Sequence, residues 1–509
     1  MCVRTPPGAE RPASRRVPAA GFAARAPGSL SRPGIKRPAL ALPVLLLVLT
    51  AGMAAAQSPV RLTLGTNAAG SAIPPNFIGL SFGSKTLLPN DAGGHFFSAT
   101  NTPLITLFQN LAIQHLRLGG TTVESPPGTP IPKETDIDNL FAFVRAAHVK
   151  KVIYSLRLLE TNATQHYAAA DAAIAKYVRE IYEPYLDCFA IGNEPDRRTV
   201  FDQDISITNF ATYLSKWRQF AAGITSAVPK AAFAGPDAGS GNVYWTTHFA
   251  QAERDSGRVK VISEHFYVGG AGRGVSAPAG IEAILSPAWL AANQRLYERM
   301  AAPVLAEGLP YRFTEANDHY SGGIPGASDT VAGALWALDF LHWWAAHRTQ
   351  GVDFHNTHWV ANDVIALDAT RGLRSNPKGY GLKAFDLGGH GNIEPLTLSN
   401  PDRLNVTAYA VRDAGAHLVT IINKEHGAGA RAAEVAIEAP GAADRAEVIV
   451  LACPDGDAAA KSGVTLGGAT IEADAPWRGS WSPLPARQPG QYGVKVAAVS
   501  AAVVKIPAP

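Results

Sequence analysis

Two stretches of this sequence place a glutamate where it could do chemistry. In "FAIGNEPDRR", Phe189 to Arg198, an apolar run leads straight into Asn193, Glu194 and Pro195. In "YRFTEANDHY", Tyr311 to Tyr320, a second run leads into Thr314 and Glu315. A carboxylate at the rim of a sheet, with a proline after it, is placed to act on something bound there. One Asn-Glu-Pro alone reads equally well as a solvated loop, so the pair is what matters. Two carboxyl groups about 5 to 5.5 Å apart can flank a glycosidic bond, one attacking the anomeric carbon while the other protonates the leaving oxygen.

Bringing the two glutamates to one mouth requires a closed sheet. From 76 to 390 short apolar runs alternate with longer helical patterns, the signature of a parallel sheet with crossover helices. The candidate strands are "FIGLSF" from Phe77, "IQHLRLGG" from Ile113, "KVIYSLRL" from Lys151, "CFAIGN" from Cys188, "AAFAGP" from Ala231, "VISEHFY" from Val261, "YRFTE" from Tyr311 and "GVDFHN" from Gly351. Eight of them predict an α/β fold, a (β/α)8 TIM barrel, with Glu194 ending the fourth strand and Glu315 the seventh. Helices are expected over Asp136 to His148, Gln165 to Tyr182, Asn209 to Val228 and Thr330 to His347. Ser328 or Asp329 would cap the last of these, and its Trp336, Trp343 and Trp344 would pack against the barrel rather than face a sugar.

After Pro395 the period changes to two, in "LNVTAYAVR", "HLVTIINK", "AEVAIEA", "AEVIVLA" and "YGVKVAAVSAAVVKI". This predicts an accessory antiparallel β-sandwich, which an isolated strand at Val60 to Leu64 could join. The expected division is a signal peptide over 1–56, an N-terminal strand segment over 57–75, the catalytic barrel over 76–390 and the sandwich over 391–509.

The leader carries eight Lys/Arg against one acid, a net of +7 where the whole chain has +3, so residues 57–509 carry −4. The body therefore gives no argument for a nucleic-acid partner. The apolar run from Ala39 ends at Ala54, Ala55 and Ala56, which reads as a signal peptide cleaved before Gln57 and predicts a secreted or periplasmic protein without stable membrane association; an uncleaved anchor is the competing reading. Cys188 and Cys453 lie far apart, and Cys188 reads as a small buried hydrophobe. No Cys/His spacing suggests a metal, and no cofactor is expected. "VGGAGRG" from Val268 lacks what phosphate cradling needs and reads as a flexible rim loop.

The run "YRFTEANDHYSGGIPGASDTVAGALWALDFL", with "IGNEPD" and "HLRLGGTT" upstream, resembles glycoside hydrolase family 79 of clan A, which contains β-glucuronidases and heparanases. The resemblance implies a carbohydrate substrate, Glu194 as general acid/base and Glu315 as nucleophile. It implies that Asn193 binds the sugar 2-hydroxyl, and that Tyr320 and the backbone N–H of Gly322 hold a uronate carboxylate. His265 and Tyr267 alternate with Phe266 and so point the same way. The clan uses this position to orient the nucleophile, while a barrel-core role is the alternative. Arg117, inside a barrel, needs a carboxylate partner, and Glu315 is the obvious one. His355 and His358, three apart on a strand, would face opposite sides and share no metal.

Two departures from the family pattern bear on the sugar. Phe82 is followed by Gly83 where many relatives have glutamate, and "HWVANDVIALD" lacks the tyrosine that relatives use for the carboxylate. An ionised Asp363 there would repel a uronate. The leading expectation is a secreted retaining exo-β-glucuronidase. The alternatives are a heparanase-like endo enzyme, to whose cleft Arg197, Arg198 and Arg273 could contribute, an enzyme for a neutral sugar, and a non-catalytic carbohydrate-binding protein.

Overall fold

The structure, a computed structural model, describes residues 57–65, 70–124, 129–159, 167–197, 207–443 and 445–508. The expected leader, 1–56, and Arg198 lie outside them. Eight parallel strands close into a barrel: Ile78–Gly83, His115–Gly119, Lys151–Leu156, Leu186–Ile191, Phe233–Ala238, Val259–Tyr267, Tyr311–Asn317 and Val352–His355, the eighth pairing back to the first. Each was legible as a continuous apolar run because crossover helices cover the outer face while the barrel interior buries the other.

Several inward positions are nevertheless polar. Near the N-terminal ends of the strands Arg312 grips Asp353 bidentately, Nε to Oδ2 at 2.9 Å and Nη2 to Oδ1 at 2.7 Å, and His115 Nδ1 meets the same carboxylate at 2.8 Å. The three residues stand on the seventh, eighth and second strands, so this cluster ties the barrel where it closes. Ile153, Cys188, Ala190, Ala234 and Val261 form a small separate apolar cluster on the third to sixth strands. Cys188 is thus the buried small hydrophobe its context suggested.

The helices Glu134–Ala146, Ala168–Tyr182, Phe210–Ala227 and Val331–Ala346 fall where expected. The last is buried all round because it lies between the barrel strands and further chain. Trp336 and Trp344 are fully buried and Trp343 nearly so, consistent with packing. Its start differs from expectation, for Thr330 occupies the N-cap position. Ser328 Oγ instead accepts from Ile324 N at 2.9 Å and Asp329 Oδ1 from Gly326 N at 2.6 Å, so both brace the preceding turn.

Val60–Leu64 pairs antiparallel with Leu396–Ser399 and parallel with Ala433–Glu438 in a four-stranded sheet. A second sheet contains Val406–Asp413, Ala416–Asn423, Arg445–Ala452 and Ser500–Pro507. Val60, Leu62 and Leu64 meet Val419, Ile421, Val435, Ile437, Val504 and Ile506 in the core between them. The final apolar run is two strands, Gln491–Val496 and Ser500–Pro507, with a turn between them in which Val499 takes a φ of 51°. Barrel and sandwich are joined at Asp339 on the helix Val331–Ala346, which accepts from Tyr409 at 2.5 Å and Thr407 at 2.9 Å and pairs with the buried Lys424.

Candidate active site

The fourth strand ends at Ile191, three residues before Glu194, so a turn and not the strand aims this carboxylate. Gly192 has a φ of 88° and Glu194 itself 44°. A non-glycine residue in the left-handed region is strained and persists only where its surroundings over-determine it. Here the Glu194 N–H donates to the Asp237 carbonyl at 2.9 Å, and Arg197 N–H returns to the Glu194 carbonyl at 3.0 Å across the short helical turn Pro195–Arg197.

Glu315 lies within the seventh strand and is nearly buried. The Tyr267 hydroxyl donates to its Oε1 at 2.6 Å and Arg117 Nη1 to its Oε2 at 3.2 Å. His355 Nδ1 stands 3.6 Å and His265 Nδ1 3.9 Å from that second oxygen. Burial pushes the Glu315 carboxyl up, but His355, His265, Arg117 and the Tyr267 phenol outweigh it and hold the group well below the usual carboxylate range. Burial and the Glu315 charge push the Tyr267 phenol well above its ordinary value, so it stays a donor.

Arg117 is the hub. Its buried guanidinium donates from Nη2 to Asp237 Oδ2 at 2.8 Å and to Asn193 Oδ1 at 2.9 Å, and from Nη1 to Ser81 Oγ at 3.3 Å as well as to Glu315. Only a glycine could stand at 119, because a Cβ there would come within 2.6 Å of Arg117 Cζ. Glu315 is therefore one of two carboxylate partners, and Asp237 is the shorter contact. Burial raises the Asp237 pKa, but Arg117 first, then His265, Ser263 and Thr314, bring it below its ordinary value.

His265 and Tyr267 do point the same way, yet they serve different carboxylates. His265 Nδ1 lies 3.1 Å from Glu194 Oε1, and its Nε2 is 3.4 Å from Arg117 Nη2. Burial lowers the His265 pKa, while the Glu315 charge and the bond to Glu194 raise it more, for a net upward shift. Tyr267 contacts the seventh-strand glutamate, whereas His265 hydrogen-bonds Glu194.

One oxygen of Glu194, a nitrogen of His265 and one oxygen of Glu315 all lie within 4.8 Å of one another. Such a trio has the donor types of a metal site, but the fixed positive charge of Arg117 on Glu315 opposes a cation there. The separation suits two carboxylates that flank one bond.

Tyr320 sits beside this centre, its ring edge-on to Tyr267 at 6.1 Å and under the Arg197 guanidinium at 5.8 Å. Arg197 Nε is also 3.6 Å from Glu194 Oε2, which places one cation between the glutamate and the phenol. The glycine-rich loop is no loose rim, since Tyr320 N donates to Gly270 O at 2.9 Å and Gly272 N to Tyr320 O at 3.2 Å. Gly322 follows with a φ of 87°. Arg273 is exposed on that loop.

Asp363 is fully buried, accepts from Thr357 N at 2.6 Å and Val360 N at 2.8 Å, and has its pKa raised by burial. It braces the loop after the eighth strand, so the repulsion expected of it at the mouth does not arise. That strand ends at His355, and His358 lies beyond it, so the two histidines do not alternate on one strand. His355 reaches Glu315, which the sequence reading missed, as it missed Asp237. Both stand at C-terminal strand ends, the signal that had singled out the glutamates.

No family model matches the chain. A β-glucuronidase of Aspergillus niger is 29% identical over 151 residues, a match that spans 28% of this chain and 28% of that protein's length. Among solved structures, a 4-O-α-L-rhamnosyl-β-D-glucuronidase from Fusarium oxysporum 12S, bound to Rha-GlcA, superposes with a TM-score of 0.67 at 14% identity, covering 87% of this chain and 99% of that one. The GH51 arabinofuranosidase from Xanthomonas axonopodis pv. citri gives 0.63 at 14% identity, covering 88% and 99%. The fold is the barrel-and-sandwich architecture that these glycoside hydrolases share.

Proposed function

We propose that this protein is a retaining β-glucuronidase that acts from the non-reducing end of its substrate by double displacement. The observation that carries this is the approach of Glu194 and Glu315 to within 4.8 Å, with different partners on each. Glu315, held ionised, attacks the anomeric carbon as the glycosidic C–O bond breaks, and Glu194 gives its proton to the leaving oxygen. Water then attacks the same carbon, Glu194 takes a proton from it, and the ester bond to Glu315 breaks. Once the Glu315 charge is consumed in the ester, the His265 contact to Glu194 remains.

A glucuronide is supported by the names of two similar proteins and by the position of Tyr320, whose phenol and neighbouring Arg197 offer directed donors to a carboxylate. Asn193, oriented by Arg117, is the candidate contact to the 2-hydroxyl. The test is proton NMR of an aryl β-glucuronide during hydrolysis. A β-configured first product supports the reading, and an α-configured one sinks it. Export with cleavage before Gln57 belongs to the same proposal, and N-terminal sequencing of the mature protein checks it; a product that keeps Leu45 to Leu49 in a membrane would reject it.

A further inference from the structure

The Arg117 guanidinium carries a single charge and shares it between two carboxylates. Its Nη2 donates to Asp237 Oδ2 at 2.8 Å and its Nη1 to Glu315 Oε2 at 3.2 Å, while Nε donates to nothing among the described residues. All three residues are buried, so little solvent screens them from one another. Two anions on one buried cation compete, and each weakens the hold that the cation has on the other. Asp237 has the shorter contact, which leaves Glu315 less fully neutralised than an exclusive ion pair would.

Asp237 stands near the C-terminal end of the fifth strand, Phe233–Ala238. Its φ of 51° is left-handed, as is the 44° of Glu194, and the bond from Glu194 N to Asp237 O joins these two strained residues. Such strain persists only where the surroundings over-determine it. For Asp237 they do, since its N–H donates to Ser263 Oγ at 3.1 Å and its Oδ1 accepts from the Thr314 hydroxyl at 2.6 Å. One residue therefore bears on both catalytic glutamates, by its main chain on the turn that aims Glu194 and by its side chain on the cation beside Glu315.

Glu315 is faced by Arg117 from the second strand, His265 and Tyr267 from the sixth, His355 from the eighth and Glu194 from the turn after the fourth. Asp237 is faced by Arg117 and His265, and Asp353 acts on Arg117 from the N-terminal ends of the strands. Of these anions, Asp237 is the one hydrogen-bonded to the same guanidinium as Glu315. A nucleophile held more tightly by a cation attacks more slowly and leaves its product more readily. Removing the Asp237 charge thus acts in opposite directions on the formation and the breakage of the Glu315 ester.

We propose that Asp237 is a positioning residue that draws the Arg117 charge away from Glu315 and so sets how strongly Glu315 attacks the anomeric carbon; this rests on Glu194 and Glu315 having the roles assigned above. The probes are 2-deoxy-2-fluoro-β-D-glucuronyl fluoride and its glucosyl counterpart, which separate the two steps. Glu315 displaces fluoride, which leaves without needing a proton, and water later hydrolyses the trapped ester as Glu194 takes a proton. Both probes lack the 2-hydroxyl assigned to Asn193, whose bond to Arg117 would otherwise enter the result. In Asp237→Asn, whose amide oxygen can accept the same Nη2–H, trapping should slow by roughly ten-fold, while hydrolysis of the trapped ester is no slower than in the wild type. Thr314→Val keeps the charge and removes the hydroxyl that shields it, so both rates should shift the other way by a smaller factor, and this variant reads the same effect should Asp237→Asn fail to fold. Equal slowing of both steps in Asp237→Asn, or rates unchanged in both variants, overturns the proposal while an ester on Glu315 leaves the assigned roles standing. Trapping by the glucosyl fluoride alone, with the opposed rate changes intact, would reject the uronate and keep the role of Asp237. Mass spectrometry that finds the ester on a residue other than Glu315 would overturn the roles and this proposal together.

Discussion

Replacing Tyr267 by phenylalanine removes one hydrogen and one oxygen from the centre and leaves the ring in place. The phenol donates to Glu315 Oε1 at 2.6 Å inside a nearly closed site. A hydrogen bond to a charged group contributes about 1.5 to 3 kcal/mol. At 1.36 kcal/mol per unit, its loss raises the Glu315 pKa by about one to two units, with Arg117, His265 and His355 still in place. The acid limb of kcat/KM for an aryl β-glycoside, which reports the free enzyme, should move to higher pH by that amount. The plateau should fall as well, because Oε1 loses the contact that orients it.

Stability follows the same group. The folded protein holds Glu315 below its ordinary value, so these contacts stabilise the fold above the unfolded carboxylate pKa, and the contribution is lost as pH falls through the folded one. Tyr267→Phe should therefore unfold more readily at neutral pH by about 1.5 to 3 kcal/mol in denaturant titrations, with the gap narrowing as the pH drops through the variant's own folded pKa. An acid limb that stays where the wild type has it would refute the idea that this phenol holds the carboxylate ionised.

Three further outcomes are expected. Glu315→Gln should abolish turnover of every substrate, whereas Glu194→Gln should spare the first step for aryl glycosides whose leaving groups need no proton, and azide should rescue Glu194→Ala with formation of the β-glycosyl azide; full activity of Glu315→Gln rules the roles out. Tyr320→Phe should lower kcat/KM for an aryl glucuronide by roughly ten- to a hundred-fold and affect an aryl glucoside far less, while equal losses would mean that Tyr320 supports the chemistry instead of reading the carboxylate. Arg117→Met leaves Asp237 and Glu315 without their shared buried cation, and urea unfolding should show a loss of about 3 to 5 kcal/mol; a change within experimental error would show that the arginine is not the hub its contacts describe.

The sequence by itself determined the layout. Barrel strands buried on both faces are predominantly apolar, so all eight could be read locally despite their inward polar residues, and the rule that barrels act at strand C-termini pointed to Glu194 and Glu315. The switch to period two announced the sandwich, and Val60–Leu64 joined it because its alternation matched. What no local pattern contains is which polar groups meet once the sheet closes. Asp237 reaches Arg117 from 120 positions away, and His355 reaches Glu315 from the eighth strand. His265 turns to Glu194 over a difference of 3.1 against 3.9 Å. Whether Asp363 faces a substrate or props a loop depends on how the backbone after His355 folds back, and its two amide contacts settle that. Partners at hydrogen-bond range are chosen by tenths of an ångström in three dimensions, and only the closed barrel sets those distances.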